Sequence, residues 1–198
     1  MTHAAPYHHG DLKRALIEEG FRQLEAVGLE GLSLRALAES AGVSKSAPYR
    51  HFADKSELLS ALAAAGFGDF ADVLERSDEA SASEPSGLRL ALLAEAYIGF
   101  ARSRPALYRL MFSPLGYSLH SEACRINAVR AFDILVGIVE QARREGWKSE
   151  KPLMPVAMSV WAEVHGWAGL LIDGLLPDAQ GLTDEAWRES IAAFLSRP

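Results

Sequence analysis

An all-α protein of about nine helices is the fold this sequence predicts, and three observations predict it. Apolar residues recur at helical spacing along most of the chain. Gly, Pro and Ser/Asp clusters interrupt them at helix-length intervals. No stretch alternates apolar and polar side chains as a half-buried strand would. The 198 residues are 49% apolar and 23% charged, the balance of a folded chain able to bury a core. No internal repeat is visible.

Leu12, Leu16, Ile17, Phe21, Leu24 and Val27 share one helical face, with Gly28 behind them, and place a first helix at about 11 to 27. Ser33 caps a second, with core positions Leu34, Leu37, Ala38 and Ala41 and closure at Gly42. A third must be very short, because Ala53 and Asp54 interrupt it and Asp54-Lys55-Ser56-Glu57 forms a capping box for a fourth. That fourth helix, 54 to 76, is a rod of about 33 Å weakened in its middle by Gly66 and Gly68. SDEASASEPSG, 77 to 87, reads as an exposed loop. Apolar helical stretches follow at about 88 to 102, 105 to 112, 119 to 145, 155 to 174 and 183 to 196, broken at Pro105, SPLGYS, GWKSEKPLMP and LPDAQGLT. Residues 1–53 thus read as a three-helix head and 54–198 as a helical body entered through the long helix.

Several function classes fall away on composition. A lone cysteine, Cys124, excludes an internal disulfide framework and a cysteine-rich zinc site, and fits a reducing cytoplasm. The longest run free of Asp, Glu, Lys and Arg, LMFSPLGYSLHS at 110 to 121, is too short to span a bilayer, and the N-terminus lacks the apolar core of a secretory signal. YHHGD, 7 to 11, pairs two histidines with Asp11, but no further ligand pair stands at metal spacing; a helix cap with a short DNA-brushing arm suits it better, and no metal or cofactor is expected. No nucleophile motif or phosphate loop accompanies His165, and Glu163 two residues away cannot face it on a helix, so catalysis is not expected. The net charge of −6 argues at first against nucleic acid, yet residues 1 to 55 hold seven Lys/Arg against seven Asp/Glu, a neutral head on an acidic body.

The chemistry concentrates in LRALAESAGVSKSAPYRHF. Two helices crossing steeply need a small residue at the contact and a glycine in the turn, which Ala38 and Gly42 supply. Proline is tolerated in a first helical turn, so Pro48 marks the start of the third helix, its second residue if Ser46 caps and its fourth if Ser44 does. Lys45, Ser46 and Ala47 then sit at the tip, suited to base edges in a major groove. Tyr49 and His51 can donate to phosphates, Arg50 can do either, and Ser33 and Lys55 begin the flanking helices as further phosphate clamps. Phe52 reads as a core staple.

With GLEGLSLRALAES before it, AGVSKSAPYRHFADKSELL resembles the DNA-binding domain of the tetracycline-repressor (TetR) family, the match running over residues 10 to 62 without a gap. The resemblance implies base contacts from Lys45, Ser46, Ala47 and Arg35, and backbone contacts from Ser33, Tyr49, His51 and Lys55. Ser44 and Arg50 complete the expected DNA-binding set. Pro48 stands where Leu or Ile is commoner in the family.

Helix 155 to 174 is apolar nearly all round, and helix 183 to 196 carries Trp187, Ile191, Phe194 and Leu195 on one stripe. The pair exposes more apolar surface than one small domain hides, which points to a homodimer with a four-helix interface at Val160, Val164, Trp167, Leu171, Trp187, Ile191 and Phe194; TetR regulators usually dimerise through their last two long helices. VHGW, 164 to 167, also resembles a subclass whose C-terminal helix carries Trp-His-Gly, with Val164 in the tryptophan's place. Tyr97, Phe100, Tyr108, Met111, Phe112, Met154, Met158 and Trp161 around His165 would line a pocket for a small apolar or aromatic effector. The expected protein is a ligand-responsive regulator, a homodimeric repressor of a palindromic double-stranded DNA operator that an effector releases. The alternative is a helical interaction module whose head has lost DNA binding.

Overall fold

The structure, a computed structural model, describes residues 9–113, 121–176 and 186–196. Among these the chain forms α1 His9–Gly31, α2 Leu34–Ser40, a 3-10 turn Pro48–Arg50, α3 Lys55–Ala80, α4 Ser86–Ser103, α5 Pro105–Met111, α6 Glu122–Arg144, α7 Leu153–Ile172 and α8 Ala186–Ser196. The all-α expectation holds, and the very short third helix is the 3-10 turn. Tyr7 and His8 of YHHGD, the side chains of its His9 and Asp11, and most of the SPLGYS and LPDAQGLT breaks lie outside the described residues.

Local chemistry sets the boundaries. Gly28 leaves the helical region inside α1 (φ 69°, ψ −177°), so the regular helix stops at Val27. Asp54 accepts from the Glu57 amide at 2.9 Å while the Glu57 carboxylate accepts from the Ala53 amide at 2.6 Å, the reciprocal capping that starts α3. At its other end α3 outruns residue 76 by a turn, because buried Ser81 returns its hydroxyl to the carbonyls of Ser77 and Asp78. The expected loop over 77–87 therefore shrinks to 81–85.

The chain divides into two compact units, residues 1–66 with 106–125 and residues 67–105 with 126–198. The first closes around Leu16, Leu24, Leu37, Phe52, Leu58, Leu62, Leu107 and Met111. Here α5 packs against the first half of α3 at Gly66, where any Cβ would stand 2.9 Å from both a Leu107 methyl and the Met111 sulfur. Gly66 is thus a contact point where the sequence suggested only a weakness. The first turn of α5 is held from α1: Pro105 needs no partner, and the amides of Ala106 and Leu107 donate to the two carboxylate oxygens of Glu25 at 3.1 and 2.8 Å. Cys124 is buried in this unit, its thiol 3.7 Å from the Ser60 carbonyl, and burial raises its pKa and keeps it protonated.

In the second unit α4 packs on α7 and α8. Its core includes Phe70, Leu93, Tyr97, Ile98, Val160, Val164 and Trp187. Polar ties join its helices at one end, Arg89 to Asp78 and Gln141 and Ser86 to Glu145 at 2.5 Å.

Candidate nucleic-acid interface

The turn between α2 and the 3-10 segment is built around one positive φ. Gly42 adopts φ 66°, the Val43 amide donates to the Ala38 carbonyl at 3.0 Å and the Gly42 amide to the Glu39 carbonyl at 3.2 Å, a Schellman closure of α2. Nothing stands within 4 Å of a Cβ at Gly42, so conformation and not space requires glycine there. Ser33 caps the other end of α2, its hydroxyl accepting from the Ala36 amide at 3.1 Å.

Neither serine offered as a cap for the third helix performs that role through its side chain. The Ser44 and Ser46 hydroxyls meet each other at 3.2 Å, and the residue before the 3-10 segment is Ala47. Instead the backbone runs in two tight turns, Ala47 amide to Ser44 carbonyl at 2.9 Å and His51 amide to Pro48 carbonyl at 2.9 Å. Pro48 explains this form: it has no N–H to return to Ser44, so a regular α-helix cannot propagate through it. Its ring is buried, as is Phe52. The helix breaker faces the core, and the polar residues crowded around it face out.

Most of the sequence-predicted contact residues face solvent. Arg35, Ser44, Lys45, Ser46, Tyr49 and Arg50 are exposed, while Ser33, Ala47, His51 and Lys55 are half-buried. Tyr49 keeps 55% of its surface exposed, so its ring is available to a partner. Lys55 is partly engaged, its ammonium donating to the Glu30 carbonyl at 3.2 Å, which pins the start of α3 to the end of α1 and leaves two donors over. Lys13 stands 6.0 Å from the Phe52 ring centre, above the same turn.

The residues expected around an effector fall into two groups. Tyr97, Phe100, Trp161 and His165 lie in the second unit, where Tyr97 Oη is 2.9 Å from His165 Nδ1 and Phe70 stacks edge-on to Tyr97 at 4.9 Å. Trp161 approaches His165 at 5.7 Å, and Phe132 approaches Trp161 at 6.0 Å. Tyr97 and Phe100 are 6% and 5% exposed, closely packed against these rings. Burial pushes the His165 imidazole below its usual pKa. Glu163 turns to Trp167 and Ser190 at 3.1 and 3.0 Å. Tyr108, Met111 and Phe112 belong to the first unit. Met158 is 44% exposed.

Of the residues expected between two copies, the chain itself covers Val160, Val164, Trp187 and Ile191, because α7 and α8 turn those side chains to their own unit. Trp167, Leu171 and Phe194 are half-buried. What α7 leaves outward is a different row, Met154, Met158, Ala162, Gly166 and Leu170, spaced four apart on one face. Sequence reading also missed a cleft between α3 and α4 and the Glu25 cap of α5. The cap joins residues 81 apart, and no local pattern marks it.

Residues 16–62 match the family described as bacterial regulatory proteins, tetR family, and residues 90–194 match its tetracyclin repressor-like C-terminal domain. An HTH-type transcriptional regulator of Mycobacterium tuberculosis (strain H37Rv) is 34% identical over 108 residues, 54% of this chain and 46% of that protein. The chain thus spans about half the length of such curated relatives. A solved structure of a protein of unknown function from Rhodococcus sp. RHA1 is 33% identical, covers 98% of this chain and 100% of that one, and superposes with a TM-score of 0.82. AibR, solved in complex with isovaleryl coenzyme A and operator DNA, shares the fold at 21% identity and a TM-score of 0.63, over 93% of this chain and 98% of that one. On its head, its body and its helical order, the chain belongs to the TetR family of bacterial regulatory proteins.

Proposed function

We propose that this protein is a cytoplasmic repressor that binds a palindromic operator as a homodimer and leaves it when a small effector binds. The observation that carries the reading is the solvent-facing set Ser44, Lys45, Ser46, Tyr49 and Arg50, mounted on a turn whose Pro48 and Phe52 are buried, with Arg35 exposed on α2 before it. Such a mounting fixes the polar groups in place, which is what base-edge and phosphate recognition needs. Residues 1–53 would read DNA, and 54–198 would bind the effector and the second copy. AibR, with the same fold, was solved with an acyl-coenzyme A and operator DNA together, which supports a body that answers to an organic ligand.

The second copy would cover the outward row of α7. Met154, Met158 and Leu170 are 50%, 44% and 40% exposed, and Ala162 and Gly166 between them allow close approach of a partner helix. Trp167, Leu171 and Phe194 would flank that contact. VHGW at 164 to 167 would then mark a variant of the subclass whose C-terminal helix carries Trp-His-Gly. Two DNA-reading turns about 34 Å apart would meet successive major grooves, and an effector favouring another spacing would weaken binding through a coupling of roughly 1–3 kcal/mol.

Selection from random and genomic duplexes at moderate salt, followed by sequencing of what is retained, tests this. A palindromic motif bound by two chains is expected; folded protein that enriches no motif would refute it. The charge-introducing substitution Met158→Asp should shift sedimentation toward monomer, and a full-strength dimer in that variant would place the second copy elsewhere.

A further inference from the structure

Between α3 and α4, within the second unit, lies a cleft of about 510 Å³ whose walls include Asp69, Asp72, Val73 and Arg76 from α3, Phe100 from α4 and Arg104 just past the end of α4. Its charges are unevenly committed. Asp69 is paired with Arg104 at 2.5 Å, and Asp72 accepts from Arg130 of α6, which also grips Glu75. Those bonds push the Arg130 pKa above its usual value and the Glu75 pKa below its own. Both acidic residues of the wall are therefore neutralised by the protein itself. Arg76 is different: its exposed guanidinium makes no ion pair or hydrogen bond with any described residue. Beside these groups Val73 is half-buried, and the buried Phe100 ring packs 5.8 Å from the Arg104 guanidinium.

We propose that this cleft binds a small organic anion, with a carboxylate or phosphate group on Arg76 and a compact apolar body against Val73 and Phe100. A guanidinium offers a planar pair of donors matched to either anion, and the volume is that of a small-ligand site. A cationic ligand would meet Arg76 and would have to pull Arg104 or Arg130 off its carboxylate. A neutral one would leave the exposed Arg76 guanidinium to water and gain nothing from its charge. The proposal rests on the reading of this half of the chain as ligand-binding, and its test uses no DNA, so the two readings can fail separately.

Benzoate, phenyl phosphate and the neutral isostere benzamide are titrated into the isotope-labelled full chain while amide resonances are followed. One or both anions should perturb residues 69–76 and 96–104 saturably in the millimolar range, with benzamide about tenfold weaker. Whichever anion binds tighter names the ligand class. Arg76→Met should erase the preference for anions over benzamide, and Asp69→Asn, which removes one negative charge from the wall of the cleft, should tighten anion binding several-fold. The proposal is overturned if neither anion gives a saturable response at these residues, if benzamide binds as well as the anions, or if Arg76→Met binds them like the wild type.

Discussion

Glu25 offers the sharpest structural test. Its two oxygens answer the only free amides in the first turn of α5, those of Ala106 and Leu107, and Leu107 is fully buried, so water replaces the lost partner poorly there. Glu25→Ala removes both acceptors. Loss of a helix cap costs about 1 kcal/mol, and loss of a carboxylate from a helix N-terminus adds about 0.5 kcal/mol at low salt. The sum, about 1.5 kcal/mol, corresponds in a chain of 198 residues to a Tm lower by about 3–6 °C. Glu25→Gln keeps one acceptor without the charge, so about half that shift is expected. Thermal melting by circular dichroism at fixed protein concentration measures the shift, and hydrogen exchange at Ala106 and Leu107 localises it, since both amides should lose protection. An unchanged Tm together with unchanged protection at those amides would show that Glu25 does not hold α5.

Gly66→Val forces a branched side chain into the space of Leu107 and Met111, both fully enclosed, and should lower stability by about 2 kcal/mol or more, read from urea midpoints. A wild-type midpoint would mean α5 can move away from α3 freely. Burial lowers the folded-state pKa of His165, so the unfolded chain binds the extra proton more readily. The contribution of this residue should therefore be complete above the unfolded value of about 6.5 and be lost as pH falls from there through the lower folded value. Unfolding curves from pH 8 to pH 5 for wild type and His165→Gln should converge at the acid end, whereas parallel curves would contradict a buried neutral imidazole.

How much of this could be read from the sequence depended on whether the physics was local. Ser33, Gly42, Asp54 and Glu57 act within a few residues of themselves through caps and a positive-φ closure, and all four act where their spacing placed them. Pro48 was legible as a mark on the third helix, but not as the reason that helix becomes a 3-10 turn, because the side-chain cap expected from Ser44 or Ser46 is a contact between the two serines. The body was legible as helices and not as faces. Apolar residues almost surround α7, so periodicity could not say that Val160 and Val164 turn inward while Met158 and Gly166 turn out. Contacts between distant residues, Glu25 with α5 and Asp69 with Arg104, leave no trace in local spacing at all.

In the proposed function the exposed face of residues 44–50 reads DNA. The most direct test of this measures the affinity of wild type, Lys45→Ala and Tyr49→Ala for the selected operator at one fixed salt concentration, with melting temperature and sedimentation followed alongside. Both side chains are exposed, so folding and assembly should be unchanged while each variant binds the operator about tenfold more weakly or worse. Wild-type affinity in both variants would place the DNA contact somewhere else on the protein.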